Sequence, residues 1–137
     1  MYLLDTNVVS ELRRIKPHVA VLAWIQGIDD KYLFISVVTI AEIQAGIEIT
    51  REQNYQKAKQ IENWLDQIVK TFNVLNMDAV TFRTWAKLMH RKSNQLYEDA
   101  MIAATAKQHD LIVVTRNVND FVILGSKVLN PFDGKSY

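Results

Sequence analysis

LIVVTRNVND, residues 111–120, is the stretch on which the fold turns. Leu111-Ile112-Val113-Val114 is short, wholly apolar, mostly β-branched and bounded by polar residues, which reads as a strand. Thr115-Arg116-Asn117-Val118-Asn119-Asp120 follows at once and carries the chain into a turn that ends on a carboxylate. A buried strand that delivers polar residues to its carboxyl end is the unit of a parallel α/β sheet, and such sheets bind ligands outside those ends.

The same unit recurs. Tyr2-Leu3-Leu4 runs into Asp5-Thr6-Asn7, suited to a turn and helix cap before Val8, Val9 and Leu12. Pro17 favours the first turn of a second helix carrying Val21, Leu22 and Ile25, with Gly27 as its stop. Tyr32-Leu33-Phe34-Ile35 reads as a second buried strand that passes through Ser36 into a helix containing Ile40, Glu42, Ile43 and Ile47. From Tyr55 to Phe72 the apolar residues Tyr55, Ala58, Ile61, Leu65, Ile68 and Phe72 recur at threes and fours, one stripe of an amphipathic helix.

Phe72-Asn73-Val74-Leu75 reads as a third strand, and Asp78 as the cap of a helix bearing Val80, Phe82, Trp85 and Met89. After a polar break at Arg91 to Gln95, Asp99 opens an alanine-rich helix that can pack closely on a sheet. Lys127-Val128-Leu129 reads as a final edge strand closed by Asn130-Pro131. Strands alternating with helices imply right-handed parallel crossovers. The expected fold is α/β, a three-layer α/β/α sandwich around a mainly parallel sheet, with residues 1–137 forming one domain.

Composition narrows the function. A chain of 137 residues buries roughly two-thirds of its unfolded surface, enough for a core of its own. Apolar residues at 49% and charged residues at 23% exclude a disordered chain. The absence of cysteine excludes disulfides and thiolate metal sites, and His18, His90 and His109 lack the helical spacing of a zinc pair. No stretch resembles a secretory signal or a membrane span, so a cytoplasmic location is expected. The four glycines form no phosphate-binding loop. A net charge of +1 means that any nucleic-acid contact must come from local basic patches.

Asp5, Glu42, Asp99 and Asp120 each have an ordinary reading as cap, solvated helix residue or turn former. Their shared position changes the balance, because all four are expected at one end of the sheet. Two unit charges about 5 Å apart repel by roughly 3 kcal/mol at an effective dielectric near 20. A cluster of four therefore calls for protonation or a bridging cation, and oxygen donors suit Mg²⁺ or Mn²⁺. Such an ion activates water and stabilises charge on a phosphodiester, which makes hydrolysis of a nucleic-acid strand the natural chemistry.

Leu3-Leu4-Asp5-Thr6-Asn7, Ser36-Val37-Val38-Thr39-Ile40-Ala41-Glu42-Ile43, Asp99-Ala100-Met101-Ile102-Ala103-Ala104-Thr105-Ala106, Val113-Val114-Thr115-Arg116-Asn117-Val118-Asn119-Asp120-Phe121 and Asn130-Pro131-Phe132 stand in an order that resembles the PIN-domain family, specifically its VapC-type ribonuclease toxins. The resemblance implies a PIN-like fold and a Mg²⁺- or Mn²⁺-dependent endoribonuclease that cuts transfer RNA or another structured RNA. It implies Asp5, Glu42, Asp99 and Asp120 as the metal-binding and catalytic acids, with Asp5 and Asp99 as direct ligands. The last acid of the family varies between the positions of Asn117 and Asp120. Thr6, Asn7, Thr115 and Asn117 are implied as supporting polar residues.

Two partners follow from the same resemblance. One is a small VapB-like antitoxin that lies over the nuclease groove, and the other is a second copy of the chain in a homodimer within the larger complex. The apolar surplus at Val19 to Ile25 and Ile43 to Ile49 offers surfaces for both. RNA contact is expected from Arg13, Arg14, Lys16, Lys87, Arg91, Lys92 and Arg116. Two other readings compete: a non-catalytic RNA-binding or assembly module of the same fold, and a phosphoacceptor signalling domain, for which Lys127 is the one candidate phosphate-holding lysine.

Overall fold

The computed structural model describes residues 1–137. The strands are β1 (Tyr2–Leu4), β2 (Leu33–Ser36), β3 (Asn73–Leu75), β4 (Ile112–Val114), β5 (Val128–Asn130) and β6 (Lys135–Ser136). The helices are α1 (Thr6–Glu11), α2 (Val19–Gln26), α3 (Val37–Gln53), α4 (Tyr55–Thr71), α5 (Ala79–Met89), α6 (Tyr97–Gln108) and α7 (Val118–Ile123). One sheet has the order β3-β2-β1-β4-β5-β6, parallel throughout except for the β5–β6 pair.

Side-chain alternation along the strands makes the three layers. Leu3 and Leu4 are both fully buried, yet Leu3 packs with Val113, Ile102 and Phe121 on one face and Leu4 with Val114, Ile35 and Val8 on the other. Register enforces this, since Leu3 lies beside Phe34 and Val113, and Leu4 beside Ile35 and Val114. A slip of one residue would turn every one of these side chains to the wrong layer. Helices α6 and α7 cover the first face, while α1, α2 and the end of α4 cover the second.

The chain order places the site. From β1 the sheet grows one way to β2 and β3 and the other way to β4 and β5, so the topological switch lies between β1 and β4. Asp5 ends β1 and Thr115 ends β4 at that crevice, where ligands of open α/β sheets bind. The long helices α3 and α4 form an antiparallel hairpin joined only by Asn54, whose side chain accepts the Lys57 N–H at 3.0 Å. Ile47, Ala58, Ile61 and Leu65 close its seam.

Local details depart from the sequence reading for tertiary reasons. Helix α2 begins at Val19 rather than Pro17, because the His18 N–H is taken by the Glu11 carboxylate at 2.8 Å. Tyr32 belongs to a short 3-10 turn capped by Asp29, and Phe72 ends α4 instead of starting β3. Asp99 is the third residue of α6 and does not open it. β5 is not the edge strand, since β6 folds back antiparallel upon it through Gly134, whose φ of +75° suits glycine. No helix is long and apolar enough to cross a membrane.

Candidate active site

Asp5 is only 3% exposed and is held from three sides. Its Oδ1 accepts the Thr6 N–H at 2.8 Å, which caps α1. Its Oδ2 accepts the Thr115 hydroxyl at 2.7 Å and the Asn7 side-chain amide at 3.2 Å. Thr115 in turn accepts the Asn117 N–H at 2.9 Å, and Asn7 Oδ1 accepts the Arg116 N–H at 3.3 Å. These bonds pin the loop after β4 to the start of α1 across the crevice. Thr115→Val removes a donor to a buried carboxylate and orphans the Asn117 N–H, so urea titration at pH 7 should show stability lower by about 1–3 kcal/mol.

Glu42 projects from the second turn of α3, half-buried, and its Oε1 accepts the Thr6 hydroxyl at 3.1 Å. Thr6 also reaches the Thr39 hydroxyl at 3.0 Å, so one threonine ties α1 to α3. Asp99 reaches the same end of the sheet from the first turn of α6. Asp120, in the first turn of α7, lies close enough for its charge to raise the Asp99 and Asp5 carboxyls.

The electrostatics are those of a crowd of like charges. Burial, then the charges of Asp5 and Asp120, push the Asp99 carboxyl up to about 7. Burial also raises Glu42, reinforced by Asp5 and Glu98 against the Thr6 hydrogen bond. Asp5 is raised by burial in spite of its hydrogen bonds to Thr115 and Thr6. None of the four acids forms an ion pair, the salt bridges of the chain lying at Arg14, Arg51 and Lys127. The donor set is oxygen only and lacks a counter-charge, which is the chemistry a hard cation satisfies. No three of the chain's His, Asp and Glu side chains are drawn closely enough together to enclose a metal ion as they stand.

The cations divide. Arg116 stacks its guanidinium 3.7 Å above the Phe132 ring and lines a cleft with Asn117, Asn119 and Asp120. Arg13, Arg14 and Lys16 form an exposed group with Lys57 around a fully exposed Ile15. Lys87, at the end of α5, and Arg91 and Lys92 on the turn beyond it make no side-chain bond to the acids. The Asn117 side chain is exposed and contributes only its backbone N–H to the network. Lys127 lies before β5 with Asp110, which precedes β4, 3.9 Å away. Both stand at the strand ends opposite the acids, which removes the lysine that a phosphoacceptor site would need.

Three contributors escaped the sequence reading. Thr39 lies three residues before Glu42, hence on the same helix face, a spacing that could have found it. Glu98 is close enough to raise Glu42, though adjacency to Asp99 alone does not say so. Glu11 is 6% exposed and bonded to His18 and Arg14, a contact that no local pattern encodes.

Acidic side chains without a cationic partner at the switch point of a parallel α/β sheet define a class of site, and comparison with known proteins defines the family. The PIN domain family model matches residues 2–122, and the chain belongs to that family. Toxin FitB of Neisseria gonorrhoeae is 33% identical over 96% of this chain and 99% of its own length. The VapC ribonuclease Y4jK of Sinorhizobium fredii is 33% identical over 97% of this chain and 99% of its own. The crystal structure of FitAcB from Neisseria gonorrhoeae is similar with a TM-score of 0.86 and 34% identity, covering 96% of this chain and 99% of the other.

Proposed function

We propose that this chain is the toxin of a toxin–antitoxin pair, an endoribonuclease of the VapC type that depends on Mg²⁺ or Mn²⁺. One observation carries the reading: carboxylates from four separate segments stand at the switch-point end of the sheet without an ion pair, and burial and neighbouring negative charge raise the proton affinity of Asp5, Glu42 and Asp99. The full-length relatives named toxin and VapC ribonuclease support it.

Asp5, Glu42, Asp99 and Asp120 would hold the ion. Asp5 is fixed by Thr6, Asn7 and Thr115, whereas Glu42, Asp99 and Asp120 are partly exposed and have room to turn toward a shared centre. A bound divalent cation supplies charge neutralisation at the phosphate and acidifies water for attack. In the hydrolysis, a water oxygen bonds to phosphorus as the bond from phosphorus to the leaving sugar oxygen breaks. Arg116, braced on Phe132 beside Asp120, neutralises a neighbouring phosphate.

The substrate is a single-stranded or looped region of a structured RNA such as transfer RNA, because splayed strands enter a groove that a duplex cannot. The working form is cytoplasmic. An antitoxin segment covers the acids in the resting complex, and a second copy of the chain joins it. Exposed Val19 and Ile49 supply apolar surface for these contacts.

The test is a thermal titration with metal and pH. Because Asp99 holds its proton in the folded chain up to about pH 7 but loses it near the ordinary carboxyl value of 3.8 when unfolded, the metal-free fold binds the extra proton. Stability is therefore full below about pH 4 and declines as pH rises through 7, and the raised Asp5 and Glu42 act in the same sense. Mn²⁺ at about a hundred times its dissociation constant adds roughly 2.7 kcal/mol, with a larger rise in Tm at pH 8 than at pH 5. EDTA reverses the rise and stops RNA cleavage. A Tm indifferent to Mn²⁺ at pH 8 would refute the metal site.

A further inference from the structure

A cleft of about 320 Å³ opens directly from two residues of the acidic site, Thr6 and Glu42, and runs along α3 toward α4. Its polar wall is Ser10, Arg13 and Thr50, and its apolar wall includes Ile43 and Trp64. Arg13 also belongs to the next depression outward, where Arg14, Lys16 and Lys57 gather. From the acids outward, the surface thus offers a mixed polar and apolar hollow of ligand-pocket size and then a basic shelf.

Gly46 gives the cleft a second mark. It sits inside α3, where glycine costs up to about 1 kcal/mol relative to alanine. Nothing in the fold requires it there: its φ is not positive, and a Cβ built upon it meets no atom within 4 Å. The missing side chain leaves open space on the helix surface that lines the hollow.

Resting on the ribonuclease reading, we propose that this cleft is a nucleotide subsite. It receives the base of the residue next to the scissile phosphate, with the helix backbone at Gly46 as its floor. Trp64 and the isoleucines give the base an apolar surface, the Ser10 and Thr50 hydroxyls and the Arg13 guanidinium contact its edge, and Lys57 with Arg14 and Lys16 takes the phosphates beyond. RNA is favoured as occupant because the hollow begins at Thr6 and Glu42 at one end and at the other meets the basic side chains Arg13, Lys16 and Lys57, with Arg14 paired to Glu11. The cleft gives the enzyme a preference at one position flanking the cut.

The experiment compares the full chain with Gly46→Ala and Gly46→Leu on a randomised single-stranded oligoribonucleotide pool in Mn²⁺, reading cleavage sites by sequencing the ends. Both substitutions restore helix propensity, so Tm is expected to hold or rise by a few degrees, and the Mn²⁺-induced rise in Tm to persist. KM should climb in the order Gly, Ala, Leu, about tenfold for leucine, as loss of one base contact entails. The flanking-nucleotide preference should fade with it, and Lys57→Gln should raise KM without touching that preference. A wild-type chain that cuts no RNA in Mg²⁺ or Mn²⁺ overturns the ribonuclease reading and the subsite together. Cutting by Gly46→Leu with wild-type KM and preference overturns the subsite alone, whether or not the variant binds a protein partner less well.

Discussion

Asp99→Asn is expected to lower RNA cleavage by roughly three orders of magnitude while making the metal-free protein more stable at pH 8. The two effects share one cause. The ionised Asp99 carboxylate sits half-buried among Asp5, Asp120 and Glu42, and burial, reinforced by their repulsion, moves its titration to about 7. Asparagine keeps the shape and drops the charge, so above pH 7 the folded chain no longer bears the cost of burying that charge beside its neighbours. The gain vanishes as pH falls below about 4, where Asp99 is protonated in both the folded and the unfolded chain. Cleavage suffers because loss of an ion-holding oxygen forfeits several kcal/mol of transition-state charge stabilisation. Urea midpoints at two pH values and single-turnover cleavage in Mn²⁺ measure both sides, and an active or a less stable variant would contradict the assignment.

Phe121→Ala should be the most damaging core substitution. Phe121 is fully buried among Leu3, Val113, Ile102 and Val128, and it follows Asp120 in α7. Deleting a ring of this kind costs about 3–5 kcal/mol through lost transfer free energy and an unfilled cavity. Against a typical total of 5–15 kcal/mol that is a large fraction, and Tm should fall by roughly 10–20 °C. Calorimetry without metal checks the size of the loss. Since α7 also carries Asp120, the Mn²⁺-induced rise in Tm should shrink in the same variant.

The fold was legible where each residue's local pattern and its tertiary surroundings agree. Leu111-Ile112-Val113-Val114 reads as a strand from its β-branched apolar run, and the sheet order puts β4 near its centre between β1 and β5. The stripe Tyr55, Ala58, Ile61, Leu65, Ile68, Phe72 reads as one helix face, and all of it but the exposed Tyr55 is buried. Legibility failed at Pro17 and at the supposed edge strand. There a distant carboxylate, Glu11, and a return of the chain through Gly134 decided the geometry. Neither leaves a periodic trace.

The acids divide in the same manner. Asp5 and Asp120 follow strands, and Asp99 lies in the first turn of a small-residue helix, so their location at one end of the sheet is written in the order of elements. Their hydrogen bonds are not. That Thr115 rather than a lysine holds Asp5, that Thr6 bridges Thr39 and Glu42, and that Arg116 lies on Phe132 are outcomes of packing between segments remote in sequence.

The sequence by itself determined the layers, the parallel sheet and the end of it at which the carboxylates stand, because side-chain alternation and crossover handedness are local properties of the chain. Only the tertiary structure decided how strongly those carboxylates repel, which hydroxyls restrain them and where a cleft opens beside them. Those depend on burial and on distances between elements, and the order of residues does not carry either one.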